Sequence, residues 1–79
     1  MAGLITSLAG EFAEAAEFLG EIGAVPEEAY ARLRAGEALV EAGRRAEADV
    51  QLERALAFYR SVGATPYIQK AEALFTASA

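Results

Sequence analysis

Residues 30–62 read YARLRAGEALVEAGRRAEADVQLERALAFYRSV, two helical runs joined at the corner Glu41-Ala42-Gly43-Arg44-Arg45. Leu33, Gly36, Leu39 and Val40 recur at three- and four-residue spacing in the first run, and Ala48, Leu52, Ala55, Tyr59 and Val62 do so in the second. Each run therefore presents one apolar stripe of helical period. Gly43 stops the first run, because glycine suits the left-handed turn that closes a helix. The small residues Ala29 and Gly36 let a neighbouring backbone come close. The stretch reads as one helix-turn-helix unit, with a helix before it and a helix after it.

The first helix is expected over about residues 4–22, with Leu8, Phe12, Ala15, Leu19 and Ile22 on its inward side and Glu11, Glu14, Glu17 and Glu21 opposite. Gly10 and Gly20 each weaken a helix by about 1 kcal/mol relative to alanine, and Ser7 offers a later start as an N-cap. Gly23-Ala24-Val25-Pro26 breaks the chain, and Glu27 and Glu28 complement the helix dipole in the turn that follows. The second helix is expected over 26–42, with Ala29 and Tyr30 on its apolar side, and the third over 44–62, its stripe flanked by Leu56 and Phe58. Gly63-Ala64-Thr65-Pro66 repeats the earlier break, so the fourth helix spans about 66–76 with Thr65 as N-cap, burying Ile68, Ala71, Leu74 and Phe75.

An offset of forty residues places Ala15 on Ala55, Phe18 on Phe58, Ile22 on Val62, Gly23-Ala24 on Gly63-Ala64, Pro26 on Pro66 and Ala31 on Ala71. Self-similarity at such a period marks a stacked helical array. The expected fold is all-α: one domain over 1–79 of four antiparallel helices, arranged as half a repeat, a full repeat and half a repeat.

Residues 32–55 resemble the tetratricopeptide-repeat pattern, with Gly36 and Ala48 at the helix–helix contact, Leu39 at the large position, Gly43 near the corner, then Leu52 and Ala55. Arg32 and Ala35 depart from it, standing where that family usually has larger apolar residues, and the forty-residue period exceeds the family's ~34. The run LERALAFYRSVGAT at 52–65 and the ending AEALF at 71–75 are similar to the C-terminal repeats of large bacterial signalling proteins that carry nucleotide-cyclase or transcription-regulator modules and an NTPase. This resemblance implies a cytoplasmic scaffold for protein contacts, built from the last repeats of a longer chain. It carries over no cyclase or NTPase activity, because the chain has no phosphate-binding glycine loop.

Composition narrows the chemistry. Without histidine or cysteine, imidazole and thiolate catalysis, thiolate zinc sites and disulfides are excluded. No enzyme activity, metal or cofactor is expected, and Glu14, Glu17 and Glu21 are expected to face water rather than to hold a metal. No apolar run approaches the ~18 residues of a membrane span, and no basic flank precedes the N-terminal apolar residues. Residues 1–31 carry six glutamates and no base, whereas residues 32–79 carry six acids and seven bases. An acidic N-terminal third repels phosphates, so neither nucleic acid nor membrane is an expected partner.

A protein partner is what remains. Seventy-nine residues bury only about 60% of the surface that the unfolded chain exposes, which favours association. The interface candidates are Val50, opposite the third helix's stripe, Phe58 and Tyr67, beside the stripes, and Leu4, Ile5 and Phe75, on the two terminal helices. Phe12, Phe18, Tyr59 and Phe75 are expected chiefly as core. The arginines are expected in surface ion pairs such as Glu41 with Arg45. A homodimer through the first or fourth helix is the leading expectation, with a partner or parent signalling protein as the other candidate. A second possibility is a regulatory fragment that binds a peptide or effector in a groove carrying Arg32 and Glu37. A third is an engineered bundle without natural partner.

Overall fold

The computed structural model describes residues 2–77, with side chains from Leu8 to Thr76. The chain forms α1 (Ala2–Glu21), α2 (Val25–Glu41), α3 (Arg45–Val62) and α4 (Thr65–Ala77), and is all-α over the described residues. The first helix runs unbroken through Ser7, Gly10 and Gly20, so Ser7 begins nothing.

The three corners are one motif repeated every twenty residues, half the offset at which the side chains match. Gly23, Gly43 and Gly63 take φ of 78°, 75° and 68°. The amides that follow, of Ala24, Arg44 and Ala64, donate back to the carbonyls of Leu19, Leu39 and Tyr59, each at 2.9 Å. The glycine amides donate to Gly20, Val40 and Arg60 at 3.2, 3.0 and 3.3 Å. These are the paired bonds of a helix end closed by a left-handed residue, and glycine takes that conformation without a steric penalty. Each residue after the glycine also opens the next helix: the Ala64 carbonyl accepts from the amide of Ile68 at 3.0 Å, as Ala24 does from Glu28 and Arg44 from Ala48. Ala64, not Thr65, is therefore the N-cap of α4. One residue closes one helix and starts another, and none of Ala24, Arg44 and Ala64 carries a capping hydroxyl.

The helix α2 sits at the centre, packed between α1 and α3 and meeting α4 as well, while α1 and α3 scarcely touch. Ala29, Ala31, Leu33, Ala35, Gly36, Ala38 and Leu39 are all buried on it. The molecule measures 36 × 29 × 17 Å. Its least extent is under two helix diameters of about 10–12 Å, so little can be deeply buried. Leu33 and Leu52 are accordingly the largest side chains removed from solvent entirely. Leu52 lies directly over Gly36, where an added Cβ would stand 2.5 Å from Leu52 Cδ2. Tyr59, Leu56, Ala55, Ala29 and Ala71 complete the main core, with Phe58, Ile68, Leu74 and Phe75 packed on its edge.

Several residues expected in the core are outside it. Phe18, Ile22 and Val62 are 59%, 60% and 58% exposed, and Leu8 and Tyr30 are also exposed. The reason lies in the neighbours of α1. It is covered by α2 along a line through Ala9 and Ala16, both buried, which leaves the other flank of its wide apolar arc open. The ion pair expected between Glu41 and Arg45 does not form. Gly43 turns the chain between them, and Arg45 faces Asp49 within its own helix at 3.9 Å.

Candidate functional site

The open flank of α1 forms one wall of an apolar groove of about 860 Å³. Phe12, Ala15 and Leu19 come from α1; Pro26, Glu27, Tyr30 and Ala31 from α2; Phe58, Tyr59 and Val62 from α3; and Tyr67, with Ala64 at the corner, from the start of α4. The twenty-residue corners bring these together: the C-terminal halves of α1 and α3 and the N-terminal halves of α2 and α4 lie at the same end. Tyr67 stacks on Tyr59 with centroids 4.8 Å apart and planes 12° from parallel, and Phe58 meets Tyr59 edge-on at 5.6 Å. The wall is thus a fixed aromatic surface.

Beside the groove along α2 lies a smaller polar cleft lined by Leu8, Phe12, Arg34, Glu37, Ala38 and Glu41. The Arg34 guanidinium lies 5.2 Å from the Phe12 ring centroid and 5.9 Å from that of Tyr30, within cation–π range. Its Nη1 donates to the Tyr30 hydroxyl at 3.0 Å, its Nε pairs with Glu37 at 3.0 Å, and Lys70 approaches Glu37 from α4 at 3.6 Å.

Burial pushes the Tyr59 phenol above its ordinary range, and the nearby Tyr67 and Tyr30 hydroxyls add to the shift. The folded pKa then exceeds the unfolded one, so the unfolded chain releases this proton first. Stability from Tyr59 is fully present below about pH 10 and is lost as pH rises from there through the folded value. In a titration of phenolate absorbance, Tyr59 should ionise above the ordinary tyrosine range. Tyr59→Phe should abolish that late step and flatten the alkaline fall of the urea midpoint.

The candidate residues separate. Tyr67 and Phe58 both line the groove, although Phe58 is half-buried against the core rather than free of it. Phe75 also packs on the core edge. Val50 is 49% exposed and borders a smaller cleft of about 470 Å³ between α1 and α3, with Ala9, Gly10 and Leu39. The side chains of Leu4 and Ile5 lie outside the described residues. Arg32 and Glu37 do not share a groove. Arg32 is buried on the other side of α2, held by Glu28 at 2.7 Å and by Gln51 Oε1 at 3.0 Å, whereas Glu37 faces Arg34 and Lys70. They are five residues apart, about 140° around a helix, which separates them.

Phe12, Leu19, Tyr30 and Val62 were assigned to core stripes and emerge as groove lining. The signal was present on α1, where Leu8, Ala15, Phe18 and Ile22 make a second apolar line beside the buried one, more than one neighbouring helix covers. Among the described residues no helix is long and apolar enough to cross a membrane, and no three Asp or Glu side chains converge as metal ligands. In comparisons with protein-family models, curated proteins and solved structures, the chain matches none.

Proposed function

We propose that the chain is a noncatalytic protein-interaction module of helical-repeat type, whose groove between α1, α2, α3 and the start of α4 holds a segment of another polypeptide. The observation that carries this reading is the aromatic wall of Phe12, Tyr30, Phe58 and Tyr67, which opens to solvent over the buried Tyr59. Aromatic side chains supply most of the energy where protein contact sites close. Chemistry has little to work with there, since Glu27 is the sole carboxylate on the wall and no nucleophile adjoins it. A tetratricopeptide-like relationship is supported by the repeated corners, the seating of Leu52 over Gly36 and the meeting of α2 with α4. A cytoplasmic bacterial signalling protein as parent or partner accords with the same likeness.

A second reading, a homodimer through α1, is favoured by the exposed Leu8, Phe18 and Ile22. The charges on that helix oppose it, because Glu11, Glu14, Glu17 and Glu21 of one copy would meet those of the other. The test is a display selection of random peptides against the protein, repeated on Ala15→Arg, which plants a charge in the groove from an exposed position. Peptides that bind the parent and lose Ala15→Arg are expected. Selected peptides that hold both equally would show that the groove is not the contact site.

A further inference from the structure

We infer that the groove's occupant is a cationic amphipathic helix from another protein, a conclusion that builds on the groove reading above. Two observations point to it, one about the backbone of the occupant and one about its charge.

The groove walls are helices whose backbone groups bond internally, and the wall side chains offer only the Glu27 carboxylate and tyrosine hydroxyls as polar partners. An extended segment laid there would bury peptide N–H and C=O groups with nothing to bond them. A helix brings its own bonds satisfied and presents apolar side chains along one stripe. The α1 wall from Phe12 through Ala15 to Leu19 offers about 10 Å of matching length, two helical turns, at 1.5 Å per residue.

The charge follows from the ion pairs. Arg32, Arg44, Arg45 and Arg60 each face an acid of the same chain, and Arg34 and Lys70 share Glu37. Among the described residues Arg54 is the one base outside these pairs, while Glu11, Glu14, Glu17, Glu21, Glu27, Glu41 and Glu53 have no basic partner. Glu27 stands on the groove wall, and Glu11 lies about 40° around α1 from the wall residue Ala15, on the rim. An apolar floor with an unneutralised acidic rim selects lysine or arginine beside the occupant's apolar stripe. A second copy of this chain would bring the same excess of acid, setting the α1 glutamates of one copy against those of the other.

The experiment uses two designed helical peptides of about four turns, identical in their Leu and Phe face, one flanked by lysine and the other by glutamate, titrated calorimetrically into the full chain. The lysine peptide should bind, weaken with added salt, and lose binding to Ala15→Arg. The double variant Glu11→Gln/Glu27→Gln should weaken it about fivefold to tenfold, and Glu53→Gln, an unpaired acid away from the groove, should leave it unchanged. Circular dichroism checks that each variant keeps its helicity. A glutamate peptide that binds as tightly as the lysine one would overturn the charge assignment and leave the groove standing. Binding that survives Ala15→Arg would overturn the groove itself. Absence of binding by the lysine peptide at millimolar concentration, or a dimer by sedimentation that Ala15→Arg dissociates, would overturn the cationic helix, the latter in favour of a second copy.

Discussion

Leu52→Ala should destabilise the protein by about 3 kcal/mol and Gly36→Ala by about 1–2 kcal/mol, yet the double variant should cost less than the two together. Leu52 is fully buried at the crossing of α2 and α3, so truncating it removes transfer energy and leaves a cavity. A chain of this length has only about 4–12 kcal/mol of total stability, so this one change consumes much of it. Gly36→Ala has two opposing terms. Alanine gains about 1 kcal/mol in helix propensity. Its Cβ would stand 2.5 Å from Leu52 Cδ2 and 2.7 Å from Cγ, and a side chain fixed that far inward has no free rotamer to retreat to. The clash wins. When residue 52 is alanine those atoms are gone, and the new methyl at 36 fills part of the void. Urea unfolding of the four proteins, followed by circular dichroism, measures the coupling. Strict additivity would mean that the two helices are not held at the Gly36–Leu52 contact.

Glu28→Ala should cost about 2 kcal/mol, whereas Arg32→Leu should be nearly neutral or stabilising. The pair is asymmetric: the Arg32 side chain is 8% exposed and that of Glu28 is 23% exposed. Without Glu28 the guanidinium stays buried with Gln51 as its one remaining partner, and an unpaired buried charge is expensive. Without Arg32 the carboxylate can turn to water, and leucine fills the space between α2 and α3. Paired unfolding curves in low and high salt would separate the two effects. A large loss for Arg32→Leu with none for Glu28→Ala would mean that the arginine works through its stem packing alone.

The legible part of this fold was local. Gly23, Gly43 and Gly63 announce the corners because only glycine turns left-handed there cheaply, and Pro26 and Pro66 mark the helix starts behind them. Gly36 was legible as a close contact because a missing side chain in a helix needs a reason. Other features failed where a local rule met a tertiary fact. Thr65 has the chemistry of a cap, but the two-residue corner Gly63-Ala64 gives that role to Ala64. Glu41 and Arg45 have helix-pair spacing, but they sit on different helices. Arg32 reads as a surface arginine in sequence and becomes buried because Glu28 and Gln51 meet it from two helices.

The groove shows the same division. Helical periodicity reports that α1 has an apolar arc; it cannot report how many neighbours cover that arc. By itself the sequence determined four helices, their ends and the absence of imidazole and thiolate chemistry, because these depend on backbone preference and on which functional groups exist. Only the tertiary structure decided that Phe12, Leu19, Tyr30 and Val62 face an open groove. Burial depends on the crossing of whole helices, and a slab 17 Å thin leaves one side of α1 with nothing to pack against.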